Sequence, residues 1–312
     1  MPQDMATNSG KITSAFVQEF HRGFEIACQQ EDSRLQAAVT DRGTITGASY
    51  TINDMGIVEM TDRVFSDRFS NTPWSMPDTG TRVAMMADAD VYVPVEKVDL
   101  PKLLAEPQGE YQNLLVAAAN RKKDRTIYNA ILSDIQRKSV AADGTQSTTA
   151  QSFAASQILW AQGSVGTAQS PAKPITKKDL IRLRALFRKN EADNEGIYIT
   201  YNSDMMTSIL NDTTLTSADF MSVNMLQEGN VAGKWLGFNW IPYEKLNVDA
   251  NGSVTAVAWT KSGVHFGTGI NIDTDIGPRR DKRNIIQISA LVSYGAGRSN
   301  EQKCAALNFM GS

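Results

Sequence analysis

The chain is short of the residues on which most catalysis depends. Its 312 residues contain only two histidines, His21 and His265, and two cysteines, Cys28 and Cys304. The cysteines lie near opposite ends, with no spacing that fits a metal site or a redox pair, and two isolated thiols fit folding in a reducing cytoplasm. No G-x-S-x-G, H-E-x-x-H or G-x-x-x-x-G-K-[ST] pattern occurs. The stretch Gly295–Asn300, "GAGRSN", begins like a dinucleotide fingerprint. It lacks the third glycine, and the chain ends before the roughly 30-residue unit is complete, so a strand exit is expected there. Asp249–Gly252, "DANG", resembles a calcium loop but has Ala258 where the bidentate acid belongs, which makes it a hairpin turn. Asp88/Asp90 and Asp273/Asp275 each share one strand face and are expected to be solvated. Neither a cofactor nor a metal is expected, and the enzymatic search returns no catalytic residues.

Other absences narrow the class further. No run of about 18 apolar residues exists, so no membrane span is expected. The start, Met1-Pro2-Gln3-Asp4, lacks a charged and then apolar signal region. The net charge is −3 with a pI near 5.5, which argues against a protein whose main task is gripping nucleic acid through a basic surface. No lysine occurs between Lys11 and Lys97, and no lysine or arginine between Lys138 and Lys173.

What is present supports a packed protein, with 41% hydrophobic and 21% charged residues. The most informative stretch is Pro107–Gln136, which reads as one long helix. Tyr111, Leu114, Leu115 and Ala118, then Tyr128, Ile131, Leu132 and Ile135, recur at three- and four-residue steps. Such a helix spans roughly 40 Å at 1.5 Å per residue. Arg121, Lys122, Lys123 and Arg125 interrupt its apolar stripe. These four and Arg279–Arg283, "RRDKR", are the dense basic clusters. Either could meet phosphates or pair with carboxylates across a subunit interface, and a solvated face is the bland reading.

Around this spine the pattern changes repeatedly. A helix is expected over Ile12–Gln30, where Phe16, Phe20, Phe24 and Cys28 step by four, as an ordinary core helix or as an arm packing its phenylalanines on the body or a neighbour. Residues 41–97 read as irregular β structure, with strands in "GTITGASYTI" and "GIVEMTDRVF" and turn chemistry around Trp74 and Met76. Pro94 marks an edge strand. A two-stranded projection with so few apolar residues needs a surface to lie on. Residues 139–174 read as a polar connector, a loop or an insertion with a short helix around Phe153–Trp160. A capping box, Thr176 with Asp179, opens the next helix. A strand over "GIYITYN", a helix capped by Ser203 and a helix over "SADFMSVNMLQEG" follow. Strands over "KWLGFNWIPYEKL", "SVTAVAWT", "GINIDTDI" and "RNIIQISALVSYGA" come next, with a tail that returns to a sheet.

This order of elements resembles the major capsid protein of tailed double-stranded DNA bacteriophages, an α+β subunit with the Hong Kong 97-type fold. The resemblance is carried by the arm helix, the β projection, "EYQNLLVAAANRKKDRTIYNAI", "TKKDLIRLRALFRKN", "GIYITYNSDMMTSILND", "SADFMSVNMLQEGNVAGKWLGFNWIPYEKL" and the closing strands, and it covers nearly the whole chain. It implies an N-terminal arm (1–40), an E-loop (41–97), a peripheral domain (98–189 and 285–312, spine helix about 109–137) and an axial domain (190–284). It implies partners too: the chain itself in hexamers and pentamers, a portal protein, scaffolding and decoration proteins, and packaged DNA held without sequence preference. The product would be a virion capsid, made in the host bacterial cytoplasm. Some members of this family crosslink an E-loop lysine to a neighbour's asparagine; the lysine-free projection here predicts a non-crosslinked shell. Arg121, Lys122, Lys123 and Arg125 are candidate DNA-facing or inter-subunit residues, Phe16, Phe20 and Phe24 candidate arm contacts, and Trp74 and Met76 candidate E-loop contacts. The rival readings are an encapsulin-like nanocompartment shell, a cytosolic α/β enzyme or ligand-binding protein, and another phage structural component.

Overall fold

The computed structural model describes residues 29–63, 71–72, 74–95, 108–141, 144–211 and 234–311. Phe16, Phe20, Phe24, Cys28 and the helix expected near Ser217–Gly229 lie outside them. The first elements are β1 (Thr40–Thr44), β2 (Ser49–Met55), β3 (Thr79–Met85), β4 (Ala87–Val95) and the spine α1 (Gln108–Leu132). Then come β5 (Ile135–Val140), β6 (Gln146–Gln151), β7 (Ile158–Trp160), α2 (Lys177–Lys189), β8 (Ile197–Tyr201) and α3 (Ser203–Leu210). The chain closes with β9 (Lys234–Trp235), β10 (Phe238–Pro242), β11 (Asn247–Val248), β12 (Ser253–Thr260), β13 (Val264–Arg279), β14 (Ile285–Arg298) and β15 (Cys304–Met310).

These strands form three sheets. The main sheet has the order β7-β15-β12-β8-β10-β9, with β11 pairing β12. Its central strands are apolar on both faces, as strands covered on two sides should be. Trp259, Phe309, Ile197 and Ile199 are fully buried. Leu180, Leu183 and Phe187 of α2 join the same core, as do Met205 and Ile209 of α3. The second sheet, β1-β13-β14-β4, is built on the long β13–β14 hairpin, whose turn places Arg283 and Asn284 at φ 53° and 57°. Pro94 lies in β4 at the edge of this sheet, where its missing N–H costs no ladder bond. The third sheet, β2-β3-β5-β6, has a small core of Tyr50, Ile52 and Ala84.

The charged interruption in α1 separates two cores. On its N-terminal side Leu115 packs with Val95, Ile288 and Ala290. On its C-terminal side Ile127, Tyr128 and Ile131 belong to the main core. The glycines of "GAGRSN" serve packing between the second and third sheets. A Cβ on Gly295 would lie 2.6 Å from the Met86 sulfur, and one on Gly297 would lie 2.8 Å from Ala84 Cβ.

Several sequence expectations need correction. The spine ends at Leu132, short of Gln136, and Ile135 already begins β5. Ser133 and Asp134 favour helix ends over helix interiors, and the alternating burial of Ile135–Val140 fits a strand. The first part of the polar connector belongs to a hairpin, β5–β6, and Phe153–Trp160 contains one 3-10 turn followed by β7 in place of a helix. Residues 56–63 form no strand. The cap of α3 is Asn202, whose Oδ1 accepts from Met205 N–H at 3.0 Å. "KWLGFNWIP" is a tight hairpin rather than one strand, because Leu236 and Gly237 take φ 51° and 78°. At α2, the Asp179 carboxylate accepts from Thr176 N–H at 3.0 Å, as the capping motif predicts, and also from the Thr176 hydroxyl at 2.6 Å.

One buried cation holds the spine's end. Arg298 is fully buried and donates to Ile131 O at 2.6 Å, Ser133 O at 3.0 Å and Gln151 O at 3.3 Å. It also pairs with Glu301 at 3.2 Å and lies 5.0 Å from the Phe153 ring centroid. Carbonyls at a helix end have no intrahelical partner, and this guanidinium supplies one. Arg298→Met removes the charge while keeping most of the volume, and should destabilise the unassembled subunit by about 3–5 kcal/mol. Urea unfolding of the subunit checks this, with the denaturant slope unchanged.

Candidate assembly interface

The surfaces that could join copies are the arm, the projection carried on β2 and β3, and the basic clusters. The arm's root is held by the charged interruption of the spine. Asp124 is fully buried in α1. Its carboxylate accepts from Ser33 Oγ at 2.6 Å, Arg34 N–H at 2.9 Å, Leu35 N–H at 3.1 Å and the Gln30 side chain. Asn120 donates to Glu31 O at 2.7 Å, and Arg121 donates to Gln29 Oε1 at 2.6 Å. Leu35, Ala38 and Val39 then enter the main core, and Trp259 Nε1 donates to Ala38 O at 2.9 Å. A charged run that looks like a solvated face is thus largely a clamp for residues 29–36.

The four basic residues divide accordingly. Lys123 is 6% exposed, 3.0 Å from Gln36 Oε1 and 5.5 Å from the Tyr294 ring centroid. Burial lowers its pKa, with Asp124 and Asp41 offsetting part of the effect. It is an internal tie, which corrects its placement on a surface strip. Arg125 donates to Lys245 O at 2.6 Å and Asn247 Oδ1 at 2.8 Å. Lys122 is exposed. In the second basic cluster Arg279 pairs with Asp281 at 2.8 Å, and Lys282 and Arg283 are exposed at the hairpin tip.

The β2–β3 region, where a projection is expected, combines an ion-pair network with exposed apolar residues. At the root, Asp54 of β2 accepts from Arg82 of β3 at 2.9 Å and from Arg137 of β5 at 3.0 Å. Arg82 makes a two-pronged pair with Glu301 at 2.5 and 2.7 Å. Arg137 reaches Asp78 at 2.9 Å. Glu301 links this network to Arg298. Burial pushes the Asp54 and Glu301 pKa values up, but hydrogen bonds and charge from the arginines outweigh it and hold both below their ordinary values. Beyond the root, Ile57 is 83% exposed, Met60 101%, Trp74 90% and Met76 86%. Large apolar side chains left this exposed are of the kind found on interaction surfaces. Sequence reasoning picks out Trp74 and Met76 but not Ile57 and Met60, because it reads "GIVEMTDRVF" only as a strand within irregular β structure.

Nothing described gathers groups for catalysis. No set of three or more His, Cys, Asp or Glu residues is placed to hold a metal among the described residues. A cavity of about 960 Å³ lies between Met55–Ile57, α2 and Asn300–Gln302, and its acid, Glu301, is occupied by Arg82 and Arg298. His265 Nδ1 accepts from Arg42 Nε at 2.8 Å. Burial lowers the His265 pKa and Arg42 lowers it further. No described helix is long and apolar enough to cross a membrane.

The sequence matches the phage capsid protein family over residues 12–310. Among curated proteins, none matches. Many solved structures share the fold. One, from Mycobacterium phage Che8, superposes with a TM-score of 0.68 at 16% identity, covering 95% of this chain and 98% of that one. The capsid of Cyanophage P-SCSP1u gives 0.67 at 14% identity, covering 96% and 94%. The capsid of a native GTA particle gives 0.63 at 11% identity, covering 99% and 100%.

Two outcomes follow from the clamp and the network. Asp124→Ala strands the Arg34 and Leu35 N–H groups, and should speed tryptic cleavage after Arg34 by about tenfold or more in the otherwise folded subunit. Time-resolved proteolysis reads this directly. For pH, His265 is depressed below 6.5, so the unfolded chain takes up a proton first and stability falls as pH drops below about 6.5. Asp54 and Glu301 are depressed below 3.8 and 4.5, so their contribution is present above those values and is lost as pH falls further, through their folded pKa values. Melting temperatures of the unassembled subunit at about pH 8, 5.5 and 3.5 should therefore fall in two stages.

Proposed function

The chain belongs to the phage capsid protein family and has the Hong Kong 97-type fold, and from that premise we propose how it builds its shell. It is a major capsid protein of an icosahedral shell and hence a virion component. Its role is structural. Copies assemble as hexamers and pentamers around double-stranded DNA, in the host cytoplasm, with a portal at one vertex and with scaffolding or decoration proteins as further partners. The working parts are the arm (1–40), the E-loop (41–97), the peripheral domain (98–189 and 285–312) and the axial domain (190–284).

The observation that carries this reading is the projection itself. Its root is fixed to the body by Asp54, Arg82, Arg137 and Glu301, while Trp74 and Met76 face solvent. Burying such side chains against a neighbour is worth about 1.5–3 kcal/mol each. Repeated around a ring, that term favours closure, because every copy offers the same surface and the same receptor. With no lysine between Lys11 and Lys97, the projection cannot supply an amine for covalent closure, so packing and hydrogen bonds hold the shell.

Purified protein should give closed shells by electron microscopy, alone or with a scaffolding partner, and boiled shells should run as monomers on denaturing gels. The double variant Trp74→Asp, Met76→Asp should keep the melting temperature of the free subunit and raise the concentration needed for assembly more than tenfold. Normal shells from that variant would remove the projection from the assembly mechanism.

A further inference from the structure

An open sheet edge offers unpaired N–H and C=O groups to any strand that meets it, and proteins usually blunt such edges with charge, proline or shortness. Most edges here are blunted in these ways. β4 carries Asp88, Asp90 and Pro94, β1 carries Asp41 and Arg42, and β2 carries Asp54. β7 and β9 have three and two residues. β6, Gln146–Gln151, is different. Its sequence, QSTTAQ, has no charge, proline or glycine. It pairs with β5 through six successive register steps without a bulge, and no strand lies on its other side among the described residues. Gln146 to Ala150 are all exposed.

The ladder fixes which groups point outward. Ala141 N–H donates to Thr145 O at 2.9 Å, and Gly144 N–H donates to Ala141 O at 2.9 Å. This makes 141 and 145 a hydrogen-bonded pair, so alternation places the next such pairs at 139/147, 137/149 and 135/151. The free N–H and C=O groups therefore belong to Gln146, Thr148 and Ala150.

We infer that β6 pairs antiparallel with β6 of a second copy of this chain, about a twofold axis at Thr148. In that register Thr148 meets Thr148 of the partner subunit, and Gln146 meets Ala150 of the partner subunit, so every outward backbone group is satisfied. The third sheet then continues across two subunits. A second copy fits because the strand is uncharged: a twofold brings the same strand against itself, with Thr148 on the axis, and a strand carrying charge of one sign would repel its own copy. Threonine is favourable in cross-strand pairs. The inference rests on the shell reading for its setting, since contacts between neighbouring rings about twofold axes are isologous.

The test uses the full chain with Thr148→Cys. A hydrogen-bonded pair has Cα atoms about 5.5 Å apart, inside the range a disulfide spans. Gln146→Cys is the control, because its copies lie four residues apart, roughly 13 Å along the strand. Assembled particles are imaged, mildly oxidised and run on a non-reducing gel beside wild type, whose described cysteine, Cys304, is buried. Most Thr148→Cys chains should run as dimers, at least fivefold more than Gln146→Cys, and a mixture of Gln146→Cys with Ala150→Cys should crosslink. Closed shells in which Thr148→Cys crosslinks no better than the control would overturn the edge pairing and leave the shell reading intact. Absence of shells with Thr148→Cys dimers in solution would do the reverse. If oxidation perturbs the particles, Thr148→Lys and Thr148→Asp serve instead. Each alone should block assembly, and mixing them should restore it; failure of the mixture counts against the pairing.

Discussion

The rest of the architecture depends on where Arg298 can put its charge. A fully buried guanidinium must have its donors satisfied, because an unpaired buried charge costs several kcal/mol. Here the partners come from three parts of the chain: the end of α1 with the residue that follows it, the last residue of β6, and Glu301. These bonds tie the spine, the third sheet and the C-terminal segment to one another. Glu301 then passes the constraint outward to Arg82, and Arg82 passes it to Asp54. A chain of ion pairs that begins in the core thus fixes β2 and β3 to the body.

The spine illustrates how a sequence signal can be read correctly in form and incompletely in meaning. Its apolar spacing and its charged break are both real features of the helix. The break separates two hydrophobic clusters, as periodicity implies. What periodicity cannot reveal is that Asp124 faces a segment some 90 residues earlier in the chain. A charge inside an apolar stripe reads as a solvated face unless its distant partner is known. Lys123 was misplaced for the same reason. Its neighbours in space, Gln36, Asn271 and Tyr294, are remote in sequence.

Elements fixed by local chemistry were legible. The alternation and apolar runs of β8, β12, β14 and β15, the Thr176/Asp179 cap, the Asp249–Gly252 turn and the edge position of Pro94 all follow from a few adjacent residues. The connector was not legible, because Gln146–Gln151 has no apolar residue but Ala150 to set a period. Its strand character comes from its partner β5, whose own strand was hidden by the helical spacing of Ile131, Leu132 and Ile135. The residues after Met55 failed in the opposite sense. Ile57 and Val58 have β propensity, but among the described residues no strand lies beside them. Propensity for a strand is a preference for a half-buried pleated surface, and a lone subunit does not provide one there.

These two failures have one physical origin. Among the described residues, Gln146–Gln151 forms a strand with one edge unpaired, and residues 56–63 carry strand-forming side chains without a ladder. Both are incomplete in one copy, and the described body around them is otherwise well satisfied, with only three buried side-chain polar atoms lacking a partner. A subunit that must exist briefly alone cannot leave its core unfinished, but it can leave its margins so. An ion-pair network suits the boundary between the two. Its hydrogen bonds demand specific geometry, so it holds β2 and β3 in place while Trp74 and Met76 stay exposed, as the proposed contact with a neighbour requires. An apolar root would bury the same area with less directional control, and the exposed Trp74 and Met76 would then sample many angles before meeting their receptor. Fixing that angle in advance lowers the ordering cost of each contact, and a closed shell repeats the gain at every copy.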